Sequence, residues 1–321
     1  MPSLEKLTRI PTLADIQATH EAIQPFIHRT PILSSSSINA IAEAEIYFKC
    51  ENFQRIGAFK MRGGASAALR LTDTEKKKGL ATHSSGNHAQ AVARSAQMLG
   101  IPAYIVMPEN APAIKRAATA GYGAEIILCE PTLAARESTL EEVVAKTGAT
   151  FIHPYNNYEV IAGQATASLE LLQDQPDLDI IMAPVGGGGL MSGTALTTTF
   201  LHPHIKKYGA EPKAVDDAYR SFQSGVLQHN THTNTIADGL RTSLGEKTLE
   251  IIRNYVDEIF LVEEQEIIDA MRLIWERMKI VIEPSCAVPL AAVLKYKEQF
   301  EGQKIGIIIT GGNVDLGNLP F

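Results

Sequence analysis

Apolar positions follow two different rhythms along this chain. Short runs rich in β-branched residues recur at 46–48, 103–107, 125–129, 179–185, 258–262 and 305–310. Longer stretches between them carry apolar residues at helical spacing: HAQAVARSAQML at 88–99, STLEEVVAKTG at 138–148 and EEQEIIDAMRLIWERM at 263–278. Strands that alternate with helices predict an α/β protein with parallel-rich open sheets covered by helices. No internal repeat, low-complexity tract or Pro/Ser-rich linker interrupts the pattern. The polar, Gly-rich segments at 84–88, 154–159 and 186–189 are its punctuation.

Composition narrows the picture. At 321 residues, 45% hydrophobic and 20% charged, the chain is one large domain or two small ones. It is neither disordered nor a disulfide scaffold. Lys and Arg total 29 against 36 Asp and Glu, a net charge of −7, which speaks against a nucleic-acid partner. No apolar run of about 18 residues is present, so no membrane-spanning helix is expected. The first residues carry charges where a leader needs an apolar core, and an intracellular, cytoplasmic protein is the expectation. Cys50, Cys129 and Cys286 are far apart and form no CxxC pair, as expected of reduced thiols. His202, His204, His229 and His232 lie in polar loops with no third ligand near, so no histidine metal site is expected.

Three strand-to-turn-to-helix segments are the natural ligand sites, because ligands bind beyond the carboxyl ends of parallel strands. In the first, DIIMAPV runs into Gly186, Gly187, Gly188 and Gly189, and LMSGTALTTTF has helical character. Successive glycines and a helix N-terminus direct several N–H groups at one anion. Met191 and Ser192 stand where a dinucleotide fingerprint needs its third glycine, and no P-loop lysine follows. A single phosphate monoester suits the turn, although a ligand-free tight turn would use glycine too.

Lys60 sits in GAFKMRGG between Phe59 and Met61. A desolvated lysine has a lowered pKa and condenses with aldehydes, whereas most lysines are simply solvated. A lysine and a monophosphate site together meet the protein-side needs of pyridoxal phosphate, an aldehyde with one phosphate. THSSGNHAQA places Ser84, Ser85, Asn87 and His88 before a helix, where they serve either as a carboxylate grip or as a plain N-cap. IGIIITGGNVDL ends a buried run at Thr310, a ligand contact or a cap.

These segments, with KCENFQRIGAFKMRGG, GAEPKAVDDAYRS, TIADGL, EPSCAV and TGGNVDL, occur in the order found in one family. The chain resembles the fold-type II pyridoxal-phosphate enzymes (tryptophan synthase β-like) of the serine racemase, serine/threonine dehydratase and 3-hydroxyaspartate dehydratase branch. SSGNHA and GGGGL differ from the TSGNTG and GTGGT typical of the sulfhydrylases, which argues against β-replacement. The resemblance implies two domains. Residues 1–79 and 156–321 would form a large cofactor-binding domain, and 80–155 a small mobile one.

It also implies roles. Lys60 would carry the cofactor and act as base on one face of Cα. Phe59 and Gly239 would sandwich the ring. Gly186, Gly187, Gly188, Gly189 and Leu190 would hold the phosphate. Asn87 would meet the ring hydroxyl and Thr310 the ring nitrogen. Ser84, Asn87 and His88 would bind the substrate carboxylate, while Ser85 would supply the opposite-face proton that racemisation needs. Glu211, the Val215 carbonyl and Asp217 would ligate Mg²⁺, Ca²⁺ or Mn²⁺. Ser35, Ser36, Gln90, Tyr122, Lys279 and Asn313 match a nucleotide site, with ATP as effector, but Ile56 does not. Arg136 or Arg241 would read a second substrate carboxylate. Ala58 and Cys286 depart from the family's usual Ser and Gly.

The expected activity is a dehydratase (ammonia-lyase) acting on serine, threonine or 3-hydroxyaspartate, with serine racemisation as companion. The alternatives are a dedicated racemase and, more remotely, a non-catalytic sensor of pyridoxal phosphate or an amino acid. A homodimer without isoleucine feedback is expected.

Overall fold

The computed structural model describes residues 4–321. Ten strands run β1 Ile32–Leu33, β2 Glu45–Cys50, β3 Leu80–His83, β4 Ala103–Pro108, β5 Glu125–Cys129, β6 Thr150–Phe151, β7 Ile180–Pro184, β8 Lys206–Pro212, β9 Glu258–Val262 and β10 Lys304–Ile309. The helices are α1 Leu13–Ile23, α2 Ser36–Ala42, α3 Lys60–Leu69, α4 Asp73–Lys78, α5 Asn87–Leu99, α6 Ala113–Ala120 and α7 Leu133–Thr147. They continue with α8 Tyr158–Asp174, α9 Gly189–Leu201, α10 Asp217–Ser224, α11 Glu246–Tyr255, α12 Glu264–Met278, α13 Val288–Lys295 and α14 Lys297–Phe300.

The strands form two sheets. One is six-stranded in the order β1-β2-β10-β7-β8-β9, the other four-stranded in the order β5-β4-β3-β6. Every pairing is parallel except β1 with β2 at one edge. All six apolar runs read from the sequence become strands. β7 is buried at each position and β10 at all but its first, as strands covered on both faces must be. The four-stranded sheet draws all its strands from residues 80–151, and the six-stranded sheet takes the flanking sequence.

Helix α8 organises the space between the two glycine-bearing helices. A Cβ on Gly163 would collide with the Arg62 carbonyl and Gly63 of α3. A Cβ on Gly193 of α9 would lie 2.6 Å from the Ala165 nitrogen of α8. Backbones therefore touch at both crossings, and α3 and α9 are held on either side of one buried helix. A buried charge cluster reinforces the first crossing. Arg62 donates to Glu51 at 2.7 and 2.8 Å and to Glu170 at 2.9 and 2.8 Å, and Lys49 donates to Glu170 at 2.6 Å. Two cations facing two carboxylates leave no unpaired charge within this cluster.

Candidate active site

Lys60 opens α3. The chain before it is pinned to the end of β10. Ala58 bridges Gly311, Phe59 N donates to Thr310 O at 2.9 Å, and Gly312 N donates to Gly57 O at 2.9 Å. Ile56 is held at φ +60°, a left-handed conformation that costs a β-branched residue about 1–3 kcal/mol. Asn313 Nδ2 holds it there by donating to its carbonyl at 2.8 Å. The result gathers Phe59, Lys60 and Thr310, the expected ring partner, lysine and ring-nitrogen partner. Lys60 Nζ donates to Pro154 O at 2.9 Å and lies 5.2 Å from the Phe59 ring centroid. Loss of solvent pulls its amine down to about 8, and the nearby Glu283 opposes that shift.

The glycine turn joins β7 to α9. No side chain caps α9. Gly188 takes φ +82°, and a Cβ on it would lie 2.7 Å from Leu244 and 2.9 Å from Ile252. A Cβ on Gly187 would fall inside the Tyr155 ring, and one on Gly186 would meet Leu240 at 3.0 Å. Tyr155 is fixed in turn by Thr242 Oγ1, which donates to its hydroxyl at 2.9 Å. Leu190 lies buried in the first turn of α9. An uncapped helix N-terminus in a glycine cradle, with a desolvated lysine in the same structure, fits pyridoxal phosphate.

The SSGNH turn joins β3 to α5. Ser84 N donates to Val106 O at 3.1 Å, and Gly86 N donates to Ser84 Oγ at 3.3 Å. No side chain caps α5, so this turn is more than an N-cap. Ser85 lies at its bend, half-buried. Asn87 Nδ2 is 3.1 Å from each Glu283 carboxylate oxygen, and its Oδ1 accepts from Asn313 Nδ2 at 2.8 Å. His88 departs from expectation. Its Nε2 donates to Ile152 O at 3.0 Å and Nδ1 is buried without a partner. Burial holds the ring neutral, with a pKa lowered to about 3. The imidazole therefore braces α5, and the backbone N–H groups of that helix start and the hydroxyls of Ser84 and Ser85 are left for a carboxylate.

Sequence reasoning gave Glu283 no role. It is 4% exposed, faces Asn87 and Asn313, and has a carboxyl raised to about 7 by burial and by Asp238. Two positions on, Ser285 Oγ accepts from Gly239 N at 3.1 Å, which brings the second expected ring partner to the same turn. The available signal was an acid flanked by Ile282 and Pro284 in an apolar stretch.

The two arginines part ways. Arg241 donates through Nε and Nη2 to Thr235 O at 3.0 and 2.6 Å, which orients its guanidinium on that carbonyl. Arg136, in the first turn of α7, is close enough to help lower the pKa of His83, whose Nδ1 is buried without a partner. His83 immediately precedes Ser84.

The acidic residues lie at the end of β8. Glu211 accepts from Ala218 N at 3.0 Å and Tyr219 N at 2.8 Å. Asp217 accepts from Leu244 N at 3.1 Å and Asn230 Nδ2 at 2.5 Å. Both are buried, and Val215 with them. Burial and the neighbouring Asp217 raise Glu211 strongly, and burial lifts Asp217 to about 6. Glu211 and Asp217 are thus neighbouring buried carboxylates. Among the described residues no cluster of three or more His, Cys, Asp or Glu side chains could hold a metal.

The residues matched to a nucleotide site fall into two groups, Gln90, Tyr122 and Asn313 around α5 and Ser35, Ser36 and Lys279 at the end of α12. Ser35 and Ser36 line an open cavity of about 380 Å³ with Arg277 and Met278. Gln90 is buried in α5, Tyr122 stacks under Arg94, and the Lys279 amine donates to Glu276 O at 2.6 Å. Asn313 is taken up by Ile56 and Asn87.

Known proteins are similar to this chain over nearly its whole length. The β-hydroxyaspartate dehydratase of Paracoccus denitrificans is 48% identical over 312 residues, covering 97% of this chain and 99% of its own. The L-threo-3-hydroxyaspartate ammonia-lyase of Saccharomyces cerevisiae is 47% identical, covering 96% and 94%. The crystal structure of serine racemase from Dictyostelium discoideum superposes with a TM-score of 0.91 at 50% identity, covering 95% and 99%. Residues 23–311 match the family model described as pyridoxal-phosphate dependent enzyme, and the chain belongs to that family.

Proposed function

We propose that this enzyme is an ammonia-lyase that removes water from small β-hydroxy amino acids to give a keto acid and ammonia, with 3-hydroxyaspartate as the preferred substrate among serine, threonine and hydroxyaspartate. The observation that carries the reading is the desolvated Lys60 amine, held on Pro154 O beside the Phe59 ring where the chain is pinned to the end of β10, and lowered to about 8. When bound, pyridoxal phosphate supplies an electron sink for negative charge at Cα. Lys60 in its neutral form takes the Cα proton. The uncapped start of α5 binds the α-carboxylate through backbone N–H groups. Arg136 beside His83 supports recognition of a second carboxylate, and Arg136 lies nearer the SSGNH turn through His83 than Arg241, which is held on Thr235 O.

A second reading rests on Ser85. A hydroxyl opposite Lys60 can return a proton to the other face of Cα, which makes serine racemisation a companion activity or the main one. Glu211, Val215 and Asp217 suit Mg²⁺, and ATP is a candidate effector through the residues at 35, 36, 90, 122, 279 and 313. The division at 80–155, a homodimer and a cytoplasmic location complete the proposal. Among the described residues no helix is long and apolar enough to cross a membrane.

The test is a product assay on the protein loaded with pyridoxal phosphate and Mg²⁺. L-serine, D-serine, L-threonine and the four 3-hydroxyaspartate isomers are offered separately, and keto acid and residual enantiomer are followed together. Faster keto acid from hydroxyaspartate is the expected result. Inverted serine outpacing pyruvate would make racemisation the main activity, and no turnover of any of them would sink both readings.

A further inference from the structure

Cys286 stands where the family resemblance implies glycine, and its thiol makes three contacts just past the end of β10. Gly311 N donates to Sγ at 3.1 Å, the thiol donates to Gly311 O at 2.8 Å, and Thr310 Oγ1 lies 3.1 Å from Sγ. Cys286 is fully buried and Thr310 is 3% exposed. We infer that Cys286 is a positioning residue for Thr310, fixing the rotamer that directs the hydroxyl, and not the methyl group, toward the ring nitrogen of pyridoxal phosphate.

The argument rests on sterics and donor counting. Two backbone contacts to Gly311 fix the sulfur, so it cannot follow Thr310 if that side chain turns. Threonine has few χ1 wells, and they exchange its hydroxyl with its methyl. Only a rotamer with Oγ1 against Sγ keeps the 3.1 Å contact. Burial and Glu283 push the thiol above its ordinary value, so it remains a neutral S–H. With its one hydrogen on Gly311 O, the sulfur is an acceptor only and a weak one. The Thr310 hydroxyl can then rest its hydrogen on Sγ and release it to the better acceptor, a ring nitrogen. Cys286 thus sets geometry without competing for the proton. An alanine would remove the sulfur, free the alternative rotamer and leave the Gly311 N–H without its partner.

This inference depends on Thr310 being the ring-nitrogen partner, so the experiment separates the two. The full-length protein is loaded with pyridoxal phosphate ¹⁵N-labelled in the ring. The ring ¹⁵N shift and the cofactor dissociation constant are measured for wild type, Thr310→Ala, Cys286→Ala, Cys286→Ser and the double alanine variant. We expect Cys286→Ala to move the shift toward the Thr310→Ala value and to weaken cofactor binding about 3- to 10-fold, one hydrogen bond's worth. Cys286→Ser, which restores a polar contact, should recover part of both. The double variant should match Thr310→Ala alone. If Thr310→Ala moves the shift but Cys286→Ala leaves it at the wild-type position, or lowers only the melting temperature, Cys286 is a packing residue and the inference fails. If Thr310→Ala leaves the shift unchanged, the reading of Thr310 itself fails and the inference with it.

Discussion

The glycine turn before α9 and the SSGNH turn before α5 look alike on paper. Each follows a parallel strand, each opens a 13-residue helix, and neither helix has a side-chain cap. Their surroundings are opposite. Every residue from 186 to 190 is buried, and each glycine there has a neighbour where a Cβ would go. Residues 84–87 are half-buried, and a Cβ on Gly86 would meet nothing within 4 Å. One turn is a fixed socket, which suits a cofactor group that stays. The other is loosely surrounded, which suits a substrate that enters and leaves. In the proposed reaction Lys60 serves both, so its removal is the severest test. Lys60→Ala should lower turnover at least about 10³-fold and abolish the absorbance of the lysine-bound cofactor.

The fixed side of the contrast depends on the charge cluster under α3. Breaking it with Arg62→Ala should cost about 3–5 kcal/mol in denaturant unfolding, because Glu51 and Glu170 are left buried with half their partners. A variant as stable as wild type would show that the anchoring lies elsewhere. The turns themselves can be set side by side. Gly187→Ala should cost about 1–3 kcal/mol and weaken cofactor binding, since Tyr155 must move. Gly86→Ala should change stability by less than about 0.5 kcal/mol and act on KM instead. Equal effects on melting temperature would erase the distinction.

On the substrate side, Arg136→Ala should reduce the preference for 3-hydroxyaspartate over serine about 10- to 100-fold, as expected for loss of a charge-assisted bond. Arg241→Ala should leave that ratio unchanged. A preference lost in the second variant and kept in the first would reverse the assignment. The smallest effect is in pH. The neutral Lys60 base is present above its lowered value of about 8 and is lost as pH falls through it. From pH 9 to pH 8 its neutral fraction drops from about nine-tenths to about one-half, so kcat/KM should fall about twofold. A flat profile over that interval would place the lysine's titration elsewhere.

Much of this was legible because it is local. Strands β7 and β10 announce themselves as continuous apolar runs, the four glycines at 186–189 are consecutive, and Lys60 stands directly between Phe59 and Met61. Strand β8 was hidden by Lys206, Lys207 and Glu211, polar residues satisfied in place by Asp257 and by backbone N–H groups. The two-residue strands β1 and β6 are too short to show any period. Helix α8 left no amphipathic stripe because it is buried on nearly every side. Glu283 escaped notice for another reason. A single acid has no pattern, and its partner Asn87 is 196 residues away.

The backbone contact between Gly63 and Gly163 has a consequence for how the chain folds. It closes a loop of roughly a hundred residues, an entropic cost of about 4 kcal/mol for a fully flexible chain. The four-stranded sheet lies wholly inside that loop. If it forms first, it replaces most of the flexible length with a compact unit whose ends already lie close together. The order of assembly is then written into the topology. On that route the excursion through residues 80–151 would condense early, the crossing of α3 and α8 would seal it, and the half of the site that holds Lys60 would reach its final geometry only at that late step.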